Sequence, residues 1–157
     1  MISLQAYSNP AQLWLAAAAA QGSSGPEEQS DDPNVALSSL RVLIVEDEFF
    51  ISLDTKALLQ TLGHEVVGIA VSADQAVSFA ERDRPDVVLM DIRLIGTRDG
   101  IDAAEEIDRR FGIPSLFVTA NSDPLTRQRA ANVSALGLLV KPLTKERLKM
   151  GLSLFGK

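Results

Sequence analysis

Acids, a hydroxyl and a lysine stand in this chain where apolar runs stop. Glu46, Asp47 and Glu48 follow "RVLIV"; Asp91 closes "DVVLMD"; Thr119 closes "IPSLFVT"; Lys141 closes "ALGLLVK". A lone carboxylate at the end of a fully apolar run is costly to bury, so it needs a partner, a metal or an exposed strand end. Several carboxylates brought to one point repel one another, and a hard divalent cation relieves that repulsion. An all-oxygen set suits magnesium, which takes one or two protein carboxylates and keeps several waters. Lys141 and Thr119 add a point charge and a hydroxyl donor, the pair suited to the outer oxygens of a phosphoryl group.

These residues meet only if the runs that carry them are strands of one sheet. From Leu40 onward the hydrophobic pattern alternates between short apolar runs and helical periods. Strand-like runs cover 41–45, 64–70, 86–91, 113–119 and 135–141. Between them lie helical stretches. The first has apolar residues at 50, 53, 57, 58 and 62 and ends at Gly63. Others span 72–83 after a serine cap, 99–112 closed by glycine, 123–133 with Pro124 in the first turn, and 144–155. Aliphatic strands joined by helices imply an α/β fold, a parallel sheet covered on both faces. Right-handed crossovers make it doubly wound, and function in such sheets sits at the carboxyl ends of the strands.

Composition narrows the classes further. A net charge of −6 supplies no basic patch for phosphates, so nucleic-acid binding is not expected. The absence of cysteine excludes thiolate chemistry and zinc–thiolate sites, and one histidine, His64, forms no transition-metal cluster. No apolar stretch reaches the roughly 20 residues of a membrane span, and a cytoplasmic protein is expected. Residues 1–36 are of another character, with no lysine or arginine. "AQLWLAAAAA" (11–20) is followed by a Gly/Ser/Pro/acid linker, which reads as an N-terminal extension with a short helix over about 10–20. It is either a passive extension or a segment that docks through Leu13, Trp14 and Leu15.

Taken together, "LIVEDE", "VVLMDIRL", "FVTA" and "LVKPL", in this order and spacing, resemble the receiver domain of two-component response regulators, over about residues 37–157. The resemblance implies a five-stranded sheet in the order 2-1-3-4-5 with five helices. It implies that Asp91 is the phosphoacceptor, taking a phosphoryl group from a sensor histidine kinase or a histidine phosphotransfer protein. Glu46, Asp47 and Asp91, with the backbone carbonyl of Arg93, would hold Mg²⁺. Thr119 would be the switch hydroxyl, Lys141 the phosphate-binding lysine, and Lys141–Pro142 a cis bond. Ala120 would leave room for the phosphoryl group to enter. Nothing follows the last helix, so a single-domain regulator is expected. Its output would be a protein contact, including a homodimer through the fourth helix, fifth strand and fifth helix or through the N-terminal segment, or else a phosphate sink. It would be a signalling phosphoacceptor rather than an enzyme with a substrate.

The chain departs from that pattern in three places. Leu138 stands where the family usually has an aromatic, which puts the usual switch in doubt and turns attention to Phe117. The loop 92–100 is longer than common and resembles that of receivers paired with alphaproteobacterial HWE-type kinases. Arg93 and Asn121 occupy positions that in this family tune the lifetime of the phosphoryl group. Two other readings compete: a degenerate receiver acting as an unphosphorylated interaction module, and a magnesium phosphohydrolase. Arg93 weighs against the second, because such enzymes carry a second acid two residues after the nucleophile. Glu48 reads as a first-turn helix residue and Asp99–Gly100 as turn and cap. Asp54, Glu105, Glu106 and Asp108 read as solvated helix positions, residues 127–129 as a polar helix face, and His64 as exposed.

Overall fold

The computed structural model describes residues 38–120, 123–133 and 135–155; the N-terminal extension and Asn121 lie outside them. Among the described residues five strands and five helices alternate. They are β1 (Arg41–Val45), α1 (Phe49–Thr61), β2 (Glu65–Ala70), α2 (Ala73–Asp83) and β3 (Val87–Asp91), then α3 (Gly100–Phe111), β4 (Ser115–Thr119), α4 (Pro124–Ala131), β5 (Ala135–Val140) and α5 (Lys145–Leu152). All strand pairs are parallel and the sheet order is β2-β1-β3-β4-β5. The α/β, doubly wound expectation therefore holds.

Alternation along each central strand sends side chains to opposite faces. Leu43, Val45, Val88, Met90 and Phe117 pack with α2 and α3 residues such as Val77, Ile101 and Ile107. Val42, Ile44, Val87, Leu89, Leu116 and Val118 pack on the other face with Leu59 of α1 and with Leu148 and Leu152 of α5. Each such side chain taken from water contributes about 1.5–3 kcal/mol, which holds the sheet between its two helical layers. Gly151 lets α5 lie close: an added Cβ would come within 2.9 Å of Leu116 Cδ2.

Local signals set most helix ends. Ser72, Asp99, Asp123 and Thr144 each accept a backbone N–H of the first turn, and Pro124 opens α4. Gly112 closes α3 at φ 66°, a left-handed conformation that glycine adopts without steric cost. The fourth strand begins at Ser115 rather than 113, since Pro114 has no N–H to donate; its carbonyl accepts from Val88 N–H instead. The last helix ends at Leu152, short of 155.

Three expectations fail. On α1 the apolar stripe is inward only in its last part: Leu58 and Leu62 pack against the core, Phe50, Leu53 and Ala57 are exposed, and Ser52, Thr55 and Leu59 are buried. Periodicity alone misplaced the inward face of the first turns, where the buried positions fall to Ser52 and Thr55, the latter lining the cleft of the site. His64 is buried, not exposed; its Nδ1 accepts the Leu40 N–H at 3.2 Å, and its Nε2 has no hydrogen-bond partner among the described residues. Glu106 is not simply solvated, since it pairs with both Arg98 and Arg110.

Candidate functional site

Parallel pairing brings the ends of β1, β3, β4 and β5 to one edge. Asp91 pairs in register with Val118, one residue short of Thr119, and Thr119 with Val140, one short of Lys141. Backbone bonds extend the ladder past the strands: Glu46 N–H to the Ala70 carbonyl, Ile92 N–H to that of Val118, and Lys141 N–H to that of Thr119. Glu46, Asp91, Thr119 and Lys141 are thereby placed by sheet register, while Asp47 and Arg93 lie in the loops after β1 and β3.

Glu46 and Asp91 are buried, at 4% and 5% exposure, and Lys141 reaches both. Its Nζ lies 2.7 Å from Glu46 Oε2 and 3.0 Å from Asp91 Oδ2. The remaining oxygens are also engaged. Glu46 Oε1 accepts the Glu48 N–H at 3.1 Å and Asp91 Oδ1 the Arg93 N–H at 3.0 Å. Burial alone would lower the Lys141 pKa, but the hydrogen bonds and charges of Glu46 and Asp91 outweigh it and hold the ammonium above the ordinary lysine value. Lys141 is thus charged throughout the physiological range.

Asp47 is half-buried and completes an acidic cluster: one carboxylate oxygen from each of Glu46, Asp47 and Asp91 lies within 4.8 Å of the others. A hard cation suits this all-oxygen set. Thr119 is buried at 1% exposure on the same edge. Ala120 is exposed and the Lys141–Pro142 bond is cis. The Arg93 side chain is exposed. Glu48 is exposed at the N-cap of α1 and makes no side-chain cap. Leu138 is half-buried and pairs in register with the fully buried Phe117 on β4.

Two contributors go beyond the sequence reading, which took Gly100 as turn and cap and did not single out Thr55. Gly100, at the start of α3, lies against the backbone of Asp91 so closely that any Cβ there would collide with the Asp91 carbonyl. The only sequence signal was a glycine at the start of a helix where alanine is the better helix former. Thr55 of α1 lines the same cleft as Glu46, Asp91 and Lys141.

The fold and the residues at its carboxyl edge define a class, and sequence comparison agrees. Residues 42–152 match the family model of the response regulator receiver domain, and the chain belongs to that family. It is 40% identical over 120 residues to the transcriptional regulatory protein PdtaR of Mycobacterium tuberculosis, an alignment covering 76% of this chain and 56% of that protein. The phyllosphere-induced regulator PhyR of Methylorubrum extorquens is 41% identical over 80 residues, 50% of this chain and 30% of that one. Among solved structures, the signal receiver domain of a modulated diguanylate cyclase from Desulfovibrio desulfuricans G20 superposes with TM-score 0.71 at 33% identity, covering 74% of this chain and 93% of that one. The response regulator PhyR from Brucella abortus gives TM-score 0.65 at 36% identity over 74% of this chain and 47% of that one. The chain spans about half the length of PdtaR. No helix of the described residues is long and apolar enough to cross a membrane.

Proposed function

We propose that Asp91 is the phosphoacceptor of a two-component phosphorelay and that residues 37–157 form the receiver unit. The observation that carries this is a carboxylate at 5% exposure, ending a central strand, 3.0 Å from the Lys141 ammonium and beside two further acids. A carboxylate oxygen of Asp91 forms the new P–O bond as the P–N bond of a partner's phosphohistidine breaks and the imidazole leaves. Glu46, Asp47 and Asp91, with the Arg93 carbonyl, would hold Mg²⁺, which when bound supplies positive charge against the phosphoryl oxygens. Lys141 offers its ammonium to the transferred group in place of its present contact with Asp91. Thr119 offers its hydroxyl from the neighbouring strand. The donor is a histidine kinase or a histidine phosphotransfer protein, and the consequence is a changed protein contact. The face of α4, β5 and α5, which exposes Leu125, Val140 and Met150, is the surface offered to a target or a second copy.

The test is intact mass after incubation with acetyl phosphate, with and without Mg²⁺, and with Asp91→Asn alongside. One added phosphoryl group that needs both Mg²⁺ and Asp91 supports the reading. No gain from several donors in the folded protein overturns it in favour of an unphosphorylated interaction module.

A further inference from the structure

The capping box at the start of α3 has a second use. Asp99 Oδ1 accepts the Asp102 N–H at 3.0 Å, and Asp102 Oδ2 accepts the Asp99 N–H at 3.1 Å. Each carboxylate spends one oxygen on the box and turns the other to Arg129 of α4. Arg129 Nη1 lies 2.7 Å from Asp99 Oδ2 and Nη2 3.5 Å from Asp102 Oδ1. Next along the chain from Asp99 is Gly100. Its N–H donates to the Ile92 carbonyl at 2.8 Å, and its Cα lies against the Asp91 carbonyl. The loop 92–99 therefore leaves the strand at Asp91 and is pinned back onto it where Arg129 holds the box. The same loop carries the Arg93 N–H that orients the Asp91 carboxylate. On the other side, α4 follows β4 and Thr119, and of its residues only Ala130 is buried. Little apolar packing fixes this helix, so a forked charge contact weighs more in placing it.

We propose that Arg129 is a positioning residue for the Asp91 site. By holding both carboxylates of the α3 capping box, it fixes the Gly100–Ile92 closure and with it the backbone that aims Asp91. It does so from the helix that follows Thr119, so a shift of α4 is transmitted to the loop. The catalytic consequence rests on the reading of Asp91 as phosphoacceptor; the mechanical one does not. Coupling through a half-exposed pair is modest, which sets the size of the expected effect.

The experiment compares Arg129→Gln, Arg129→Lys and Arg41→Gln in the full chain. Arg41 is a matched control, as exposed as Arg129 and contacting Glu65 and the Arg84 carbonyl at the amino end of the sheet, away from the loop. Three quantities are read: hydrogen exchange at the Gly100 and Arg93 amides, the rate of phosphoryl gain and loss with acetyl phosphate and Mg²⁺, and Tm. Expected for Arg129→Gln is roughly two- to fivefold faster Gly100 exchange with a change of similar size in the phosphoryl rates. Arg129→Lys should recover part of both, while Arg41→Gln alters Tm alone. Equal effects of Arg129→Gln and Arg41→Gln, or unchanged Gly100 exchange in Arg129→Gln, would overturn the proposal. Should the unaltered chain take no phosphoryl group, the function reading fails separately, and Gly100 and Arg93 exchange still decides whether Arg129 positions the loop.

Discussion

Lys141 does most of the electrostatic work in the site. With a side chain only 15% exposed it is shared between two carboxylates whose side chains are 5% and 6% exposed. Removing one partner of a buried ion pair leaves uncompensated charge, so Lys141→Ala should lose about 2–4 kcal/mol of stability at neutral pH. Added Mg²⁺ should restore part of that loss and bind more tightly than to the unaltered protein, because the competing cation is gone. Thermal melts and calorimetric titration with Mg²⁺ check both. Arg93 is the second residue to change. Its N–H donates to the Asp91 carboxylate while its side chain is exposed. If that side chain hinders attacking water, Arg93→Ala should hydrolyse the phosphoryl group roughly threefold faster, about 0.6 kcal/mol off the barrier. An unchanged dephosphorylation rate would remove this role.

At the scale of elements, what matters is how closely α3 approaches β3. Gly100 is buried and leaves no room for a methyl group beside the Asp91 carbonyl. Gly100→Ala must push the helix start away from the strand end. The expected cost is about 1–3 kcal/mol, with slowed phosphoryl gain. Gly112→Ala, at φ 66° and with open space around it, should cost stability through backbone conformation but leave phosphoryl gain intact. Comparing chemical denaturation with the rate for the two variants separates positioning from stability. The α1 surface belongs to this scale as well. Phe49 and Phe50 meet edge-to-face, 5.5 Å apart, and both are exposed beside the acidic cluster.

The whole molecule answers to pH through groups away from the site. Burial lowers the pKa of His64 from its ordinary 6.5. The unfolded chain then binds the proton more readily than the folded one, so stability is full above about pH 6.5 and falls as pH drops below it. His64→Gln should remove this limb of a stability–pH curve measured by denaturant titration between pH 5 and 8. Glu106 acts in a lower window. Its hydrogen bonds to Arg98 and Arg110 hold its carboxyl below the usual value, so its contribution is present above about pH 4.5 and is lost on further acidification. Those contacts, with Arg98 to Asp74, tie α2 to α3 on the face away from α1.

The order of elements, the parallel sheet and the polar residues ending its strands were legible because period and chain order are local properties. Strand runs of pure aliphatics followed by Glu46, Asp91, Thr119 or Lys141 carry their meaning within a few residues. The sequence could not say that Lys141 would lie between Glu46 and Asp91, since those contacts join residues 95 and 50 positions apart. Nor could it say which face of α1 turns inward. Its apolar residues at 50 and 53 fit one helical stripe, and burial chose Ser52 and Thr55. His64 was misjudged for the same reason, because its burial depends on the segment at Leu40 folding over it. The sequence by itself determined which groups reach the edge of the sheet. The tertiary structure decided which of them touch, because side-chain contact depends on sheet register and on the close approach of helices, and neither is written in any local stretch.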